Sequence, residues 1–291
     1  MDQAEQLRNI IRQNQQRPLA RVITVTSGKG GVGKSSISTN LAIQLQKKGK
    51  RVVILDADFG LANIEVMLGI RPKNNLADLI FRGKSLQEIL TPGPLGINFI
   101  SGGSGIQELV NLTKAQIRAM VEKLSQLDEI ADVIIVDTGA GISDSILEFV
   151  AISSEVLLVV TPDPTSIIDA YALLKTLDKR KDFNSKETTI KMISNRVEGT
   201  MQGKGLFQKL NTVVNEFLKI KLEYLGPVPQ DTYLSRGVMS QNPVSLSYPN
   251  APSCLAIAEL ARTIDKQNSS IAQEKKGISS FFSKLAHRLG R

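Results

Sequence analysis

The sequence predicts an α/β domain with a doubly wound, mostly parallel sheet and helices on both of its faces. Three observations support this. Segments of strand length are apolar almost throughout, as is typical of strands buried on both faces. Segments with a helical pattern alternate with them from about residue 20 to residue 265. A glycine-rich run, SGKGGVGKSS at 27–36, separates the first strand from the first helix.

The elements follow in order from the apolar pattern. Strands are predicted at 21–27, 51–58, 97–101, 132–138, 155–161, 189–194 and, in a shorter run, 222–226. Helices are predicted between them at 34–48, 114–127, 143–152, 166–180, 204–219 and 253–265. Since neither a repeat nor a linker interrupts this alternation, residues 21–265 are predicted to form one domain.

The amino-acid composition argues against several classes of protein. An apolar fraction of 42% is ample for a large core. One cysteine, Cys254, and one histidine, His287, argue against an internal disulfide, a cysteine-bound metal cluster and zinc catalysis. Residues 1–17 are mostly polar, unlike a signal peptide, and no apolar run has the length of a membrane span. We therefore expect a cytoplasmic protein that is soluble or peripheral to the membrane.

The net charge of +8 lies mainly in the two ends of the chain. Residues 1–21 carry +2 and residues 265–291 carry +4, which leaves +2 on the body. A basic globular face that binds nucleic acid is therefore not expected.

The predicted domain has an extension at each end. Residues 1–20 contain a short amphipathic pattern, and residues 266–276 form a polar segment predicted to be a flexible linker. In 277–291 the apolar residues Ile278, Phe281, Phe282, Leu285 and Leu289 share one helical face, and Lys284 and Arg288 lie towards the other. A basic amphipathic helix of this kind indicates binding to an anionic membrane surface. The alternative is a terminal helix docked on the body.

The glycine-rich run allows two interpretations. Gly28, Gly30 and Gly33 have the spacing of a dinucleotide-binding loop, and Asp56 at the end of the second strand is placed to bind a ribose. Lys34 and Ser35 favour a triphosphate instead. Backbone N–H groups and a helix N-terminus would hold its oxygens, Lys34 would neutralise the β- and γ-phosphates, and Ser35 would ligate Mg²⁺.

The motif KGGVGKS at 29–35 resembles the deviant phosphate loop of the MinD/ParA/iron-protein ATPases. The resemblance implies that ATP and Mg²⁺ are bound and that Lys29 reaches the nucleotide of a partner copy in an ATP-dependent homodimer. It also implies slow, partner-regulated ATP hydrolysis. The residues that it assigns to the nucleotide in this loop are Gly30, Gly31, Val32, Gly33, Lys34, Ser35 and Ser36.

Two further motifs resemble the switches of this family. In LDADFGLAN (55–63), Asp58 would orient the attacking water and reach Mg²⁺ through water. The alternative is that Asp56 and Asp58 only cap the following turn. In VIIVDTGAG (133–141), Asp137 would contact Mg²⁺ through water. Gly139 replaces the proline that is usual in the family.

Recognition of the base is expected late in the chain. ISNRV (193–197) resembles the element whose asparagine, here Asn195, reads a purine, since an amide matches the donor and acceptor pattern of adenine. GPVPQD (226–231) resembles the loop around the base, which adds Pro229 and Asp231. The alternative for Asn195 is an ordinary turn residue.

DQAEQLR (2–8), DTGAG (137–141) and TPDPTSIIDAYALLK (161–175) together resemble the MinD-like regulators of flagellar number and placement. The resemblance implies that a signal-recognition-type GTPase, FlhF, binds the N-terminal segment through Asp2, Gln3, Leu7 and Arg8. It also implies contacts with flagellar switch-ring proteins and with the inner face of the cell membrane. Two rival functions are a ParA-type DNA-partition ATPase and a nicotinamide oxidoreductase.

Overall fold

The computed structural model describes residues 19–58, 62–103, 113–270 and 277–289. The predicted partner-binding residues Asp2, Gln3, Leu7 and Arg8 lie outside these ranges, as does most of the predicted linker.

Within the described residues, the strands form one sheet of eight. They are β1 (Arg21–Ser27), β2 (Val52–Ala57), β3 (Thr91–Pro92), β4 (Asn98–Ile100), β5 (Val133–Ala140), β6 (Glu155–Val160), β7 (Thr189–Val197) and β8 (Leu222–Pro229). Their spatial order is β3-β4-β2-β5-β1-β6-β7-β8, and every pair is parallel except the antiparallel edge pair β3 and β4. The predicted doubly wound, mostly parallel sheet is confirmed.

Helices connect the strands. They are α1 (Lys34–Lys47), α2 (Asn63–Leu68), α3 (Leu76–Phe81), α4 (Leu86–Ile89), α5 (Lys114–Ser125), α6 (Leu127–Ile130), α7 (Asp144–Ile152), α8 (Pro164–Asp178), α9 (Thr200–Phe217), α10 (Thr232–Met239), α11 (Val244–Ser247), α12 (Pro252–Ser270) and α13 (Ile278–Leu289). Among the described helices, none is long and apolar enough to cross a membrane.

The sheet separates two apolar layers because successive residues of a strand point to opposite faces. On β5, Ile134 and Val136 pack in the layer formed by α5, α7 and α13, whereas Val133 and Ile135 pack in the layer formed by α1 and α12. Helices α8 and α9 cover the first face over β6, β7 and β8. Central strands buried on both faces explain the continuous apolar runs of the sequence.

Several elements differ from the prediction. The short helices α2, α3, α4, α6, α10 and α11, and the two-residue strand β3, were not predicted, because segments of two to eight residues are too short to establish a period. Helix α12 continues to Ser270, so the segment predicted as a linker from 266 begins inside a helix.

The C-terminal helix α13 is present, but the prediction of an anchor separated from the body is wrong for this conformation. Its apolar face is buried in the core, where Ile278, Phe281, Phe282 and Leu285 are each at most 3% exposed. The Phe281 ring lies 6.0 Å, centroid to centroid, from the ring of Phe149 on α7. The side chains of Arg288 and Leu289 lie outside the described part of the chain.

One carboxylate anchors the start of this helix. Asp128 on α6 accepts hydrogen bonds from the backbone N–H of Ile278 (3.0 Å), the backbone N–H of Ser279 (3.3 Å) and the Ser279 hydroxyl (2.9 Å). It also accepts one from the backbone N–H of Ala20, immediately before β1 (3.1 Å). A Cβ atom at Gly277 would lie 2.5 Å from Asp128 Oδ1, so a larger residue there would displace the Asp128 carboxylate. On the exposed side, Lys284 Nζ lies 4.0 Å from Glu187 Oε2.

Candidate nucleotide-binding site

The glycine-rich run forms the turn between β1 and α1, at the carboxyl edge of the sheet. Gly33 stands at the N-cap of α1 with φ of 95°, in the left-handed region that favours glycine. Gly28 is required for a different reason, since a Cβ there would lie 2.2 Å from the backbone carbonyl of Asp169 on α8. The loop is thus held close to α8 on one side and opens α1 on the other.

A cavity of about 840 Å³ lies above this loop, a volume within the usual range for ligand sites. It brings together most of the predicted site residues, namely Gly30, Gly31, Gly33, Lys34, Ser35, Ser36, Asp58, Asn195, Pro229 and Asp231. Three others do not line it. Asp137 is fully buried beneath it, the Val32 side chain is buried in the core, and Lys29 lies outside.

Lys34 is buried at the floor of the cavity. Its ammonium donates a hydrogen bond to the Ser27 hydroxyl over 3.0 Å. Burial lowers the pKa of Lys34, and the nearby charges of Asp137 and Asp58 oppose that shift. The arrangement places one buried cation where the anionic oxygens of a triphosphate would need it.

The donors around Asp137 fit a divalent cation. Ser38 donates a hydrogen bond to Asp137 Oδ1 over 2.7 Å, while Oδ2 is buried and has no hydrogen-bond partner among the described residues. Burial raises the pKa of Asp137 to about 6, against the hydrogen bonds from Ser35 and Ser38 that lower it. A buried carboxylate oxygen without a donor, next to the Ser35 side chain, is the oxygen-rich setting that Mg²⁺ prefers. The predicted metal residues therefore fit this ion.

Asp56 and Asp58 have separate roles. Asp56 is buried and accepts hydrogen bonds from the backbone N–H groups of Asp58 (3.1 Å) and Ile64 (3.2 Å), which fixes the ends of the loop between β2 and α2. Burial and the charge of Asp137 raise the pKa of Asp56 to about 8. A carboxylate turned inward does not reach a ribose, which argues against the dinucleotide interpretation. The capping alternative thus holds for Asp56, whereas Asp58 faces the cavity and accepts a hydrogen bond from Asn63.

Lys29 is bound within its own chain. Its ammonium contacts the carboxylate of Asp163 and the hydroxyl of Thr165, both at the start of α8. The hydrogen bond from Lys29, together with those from Thr165, lowers the pKa of Asp163 to about 2. The side chain of Lys29 is 35% exposed. The two lysines of the loop therefore have different environments, one buried and one at the surface.

The residues predicted to hold the base lie close together, but the side chains of Asn195 and Asp231 make hydrogen bonds within the protein. Asn195 is 1% exposed, and its amide donates a hydrogen bond to the carbonyl of Val32 over 2.7 Å. The Asp231 carboxylate accepts hydrogen bonds from the backbone N–H groups of Tyr233 and Ser253 and from the Ser253 hydroxyl. Asp231 thus joins α10 to α12, and its side chain has a structural task that sequence reasoning did not foresee.

Sequence reasoning missed other residues of the site. Asn63 holds Asp58, Ser38 holds Asp137, and Asp163 with Thr165 holds Lys29. The position of Ser38 one helical turn after Lys34 was a usable signal, because residues four apart share a helix face. The contact between Lys29 and Asp163 joins residues far apart in sequence and left no local pattern.

The strand-to-helix glycine loop, the buried lysine and the serine that follows it define a P-loop nucleoside triphosphatase. A ParA family model, described as NUBPL iron-transfer P-loop NTPase, matches residues 18–265. The chain belongs to the ParA/MinD family of ATP-binding P-loop ATPases.

Two curated relatives are similar over most of their length. The antiactivator FleN of Pseudomonas aeruginosa is 41% identical over 245 residues, which cover 84% of this chain and 86% of FleN. The flagellum site-determining protein YlxH of Helicobacter pylori is 36% identical over 274 residues, which cover 93% of this chain and 91% of YlxH.

Solved structures support the same fold. The septum site-determining protein MinD of Pyrococcus horikoshii, complexed with Mg-ADP, superposes with a TM-score of 0.68 at 21% identity, over 88% of this chain and 100% of that one. The MinD cell division protein of Aquifex aeolicus superposes with a TM-score of 0.66 at 26% identity, over 85% of this chain and 97% of that one.

Proposed function

We propose that the protein is a nucleotide switch in which Mg-ATP joins two copies face to face and hydrolysis separates them. The observation that carries this proposal is the contrast between the two lysines of the phosphate loop. Lys34 is buried beside Asp137, where it serves the chain's own nucleotide. Lys29 lies at the surface outside the cavity, where Asp163 and Thr165 hold it until a second copy offers a phosphate.

Exposed apolar side chains at the carboxyl edge of the sheet favour a second copy as the occupant of this face. Val66, Ile142, Ile168, Met201 and Met239 are between 51% and 85% exposed. They follow β2, β5, β6, β7 and β8 respectively, so all belong to segments that leave the carboxyl edge of the sheet. Several exposed apolar residues at the same edge as the cavity are typical of a surface that another protein covers.

The residues of the site have different roles in hydrolysis. Asp58, held by Asn63, orients the attacking water, and Lys34 with the N–H groups of the loop stabilises charge on the phosphates. Ser35 and Asp137 would hold Mg²⁺, which when bound neutralises phosphate charge. Lys29 of the second copy completes the site, so that turnover depends on dimerisation and is slow in the monomer.

The relatives suggest the process that this switch controls. YlxH is a flagellum site-determining protein and FleN an antiactivator, and we place this chain with them as an FlhG-type regulator of flagellar number and placement. Its partners would be the GTPase FlhF, bound through residues 1–20, and proteins of the flagellar switch ring. It would act in the cytoplasm at the inner face of the cell membrane.

Membrane binding requires a change at α13. Phe281, Phe282 and the other apolar residues of this helix cannot be buried in the core and in lipid at the same time. The helix must therefore leave its place on α5 and α7 before it binds. One helix with a few partly immersed apolar residues binds weakly, and a dimer that presents two helices gains avidity without any new contact. Dimerisation and membrane binding are thus linked.

The test is the molar mass of the full chain, measured by size exclusion with light scattering in ADP and in Mg-ATP. Asp58→Ala should bind Mg-ATP, hydrolyse it poorly and elute as a dimer of twice the 31.7 kDa chain mass, while the same variant in ADP stays monomeric. Asp144→Ala is the matched control, because Asp144 is an exposed carboxylate just beyond the 133–141 motif. Asp58→Ala that remains monomeric in Mg-ATP, or that hydrolyses it at the wild-type rate, would contradict the proposal.

A further inference from the structure

We infer that Asn195 is a positioning residue for the phosphate loop, a role that is independent of any contact between its amide and a base. The inference rests on the proposed function, since it assumes that a triphosphate binds in this loop. It starts from one hydrogen bond, in which Asn195 Nδ2 donates to the carbonyl oxygen of Val32 over 2.7 Å.

The backbone of β7 is shaped to deliver this side chain. The register between β7 and β8 shifts between Asn195 and Val197, and Arg196 between them has φ of 58°, in the left-handed region that is uncommon for residues other than glycine. The irregularity begins directly after Asn195, which is the last residue of β7 in regular register with β8, opposite Val228, and the Asn195 side chain reaches the loop after β1. Its amide nitrogen lies 2.6 Å from the place where a Cβ of Gly33 would stand, so the glycine is needed for this approach.

The contact fixes the direction of a neighbouring N–H group. In a trans peptide the C=O and the N–H of one peptide unit point in opposite directions. The carbonyl of Val32 points towards Asn195, so the N–H of Gly33 in the same peptide unit points away from Asn195. The Val32 side chain is buried in the core, which holds the unit from a second side. Asn195 thereby orients a donor of the loop whose N–H groups bind phosphate.

The same amide can also read a base, and the two roles do not compete. An asparagine amide has two N–H donors and an acceptor oxygen. The contact with Val32 uses one donor, and Asn195 Oδ1 is buried without a hydrogen-bond partner among the described residues. A residue that only reads the base affects ligands that carry a base. A residue that also positions the loop affects ligands that consist of phosphates alone.

Inorganic tripolyphosphate with Mg²⁺ is therefore the deciding probe. Its affinity for the full chain is measured by calorimetry for wild type, Asn195→Ala and Asn195→Ser, with ATP measured in parallel. Loss of one buried hydrogen bond should weaken tripolyphosphate binding by about 3- to 10-fold in Asn195→Ala. Asn195→Ser, which keeps a shorter donor, covers the case that the alanine variant does not fold. Hydrogen exchange at the Gly33 amide should rise in the same variants.

Asn184→Ala, a substitution of an exposed asparagine, is the matched control and should bind tripolyphosphate as wild type does. The inference is overturned if the Asn195 variants bind tripolyphosphate as wild type does and lose affinity for ATP alone, since Asn195 then reads only the base. If the wild-type chain binds neither tripolyphosphate nor ATP, the proposed function itself is overturned. This outcome is distinct from a difference in affinity between the wild type and the Asn195 variants.

Discussion

The docking of α13 can be weakened without altering its apolar face, by the substitution Asp128→Ala. Three hydrogen bonds from Ile278 and Ser279 to this carboxylate are lost. Each has a net contribution of about 0.5–1.5 kcal/mol, so that docking loses about 1.5–4.5 kcal/mol. Since 1.4 kcal/mol corresponds to a factor of ten, the docked helix should open roughly 10-fold to 1000-fold more often.

The helix should nevertheless remain mostly docked. Four side chains of α13 are buried, and each contributes about 1.5–3 kcal/mol, which is larger in sum than the loss at Asp128 but is opposed by the entropy of ordering the helix. Apolar burial therefore keeps the helix in place, and Asp128 sets how often it opens. Because the residues proposed to bind lipid are unchanged, Asp128→Ala should also increase binding to anionic vesicles in the absence of ATP.

Hydrogen exchange of the amides in 277–289 measures this opening directly, and co-sedimentation with vesicles measures its consequence. Asp132→Ala is the matched control, because Asp132 lies near the end of α6 and pairs with Arg51 instead. Equal exchange rates in 277–289 for Asp128→Ala and Asp132→Ala would refute the role of Asp128 in docking the helix. Faster exchange in Asp128→Ala without a gain in vesicle binding would refute the link between opening of the helix and membrane binding.

Two further predictions concern charges. Lys34→Ala should abolish nucleotide binding, whereas Lys29→Ala should keep most of it but lose dimerisation and hydrolysis; equal losses of nucleotide affinity by calorimetry would contradict a role for Lys29 in a partner copy. Glu155→Gln should lower the free energy of unfolding by about 3–5 kcal/mol, because it removes the carboxylate charge that pairs with both Arg21 and the buried Lys191. Burial raises the pKa of Glu155, but the charges and hydrogen bonds of Arg21 and Lys191 together outweigh it and hold that pKa below its ordinary value. The stability is therefore present above the unfolded-state pKa of about 4.3 and is lost as the pH falls through the folded-state value. Urea denaturation in a pH series from 7 down to about 2.5 tests this, and Glu259→Gln in an exposed pair should have little effect; similar losses for both would be evidence against the buried pair.

The central sheet and the phosphate loop were predictable because their signals are local. A strand buried on both faces must be apolar at every position, and a loop that approaches phosphate and α8 closely must carry glycine at Gly28 and Gly33. The side chains that form the site at the ends of these strands follow from the same parallel topology. Asp56 and Asp137, for example, are partners in register on β2 and β5.

The remainder depends on contacts that the sequence pattern does not encode. The periodicity of 277–291 identifies an apolar face, but lipid and a protein groove satisfy that face equally, so the docking of α13 could not be derived from it. The hydrogen bonds that occupy Asp231 come from Ser253 and Tyr233, and those that hold Lys29 come from α8. The roles of Asp231 and Lys29 depend on the side chains that the fold places next to them, and residue type alone does not determine these roles.

Helix α7 touches both ends of the proposed switch. It begins at Asp144, three residues after Gly141 closes the motif that carries Asp137, and its Phe149 meets Phe281 of the docked helix. The loop that would sense the γ-phosphate and the helix that would bind lipid are thus separated by about two turns of a single helix. If a displacement of residues 139–141 moves α7 with it, the movement reaches the Phe281 ring directly, with no other element of the fold in between.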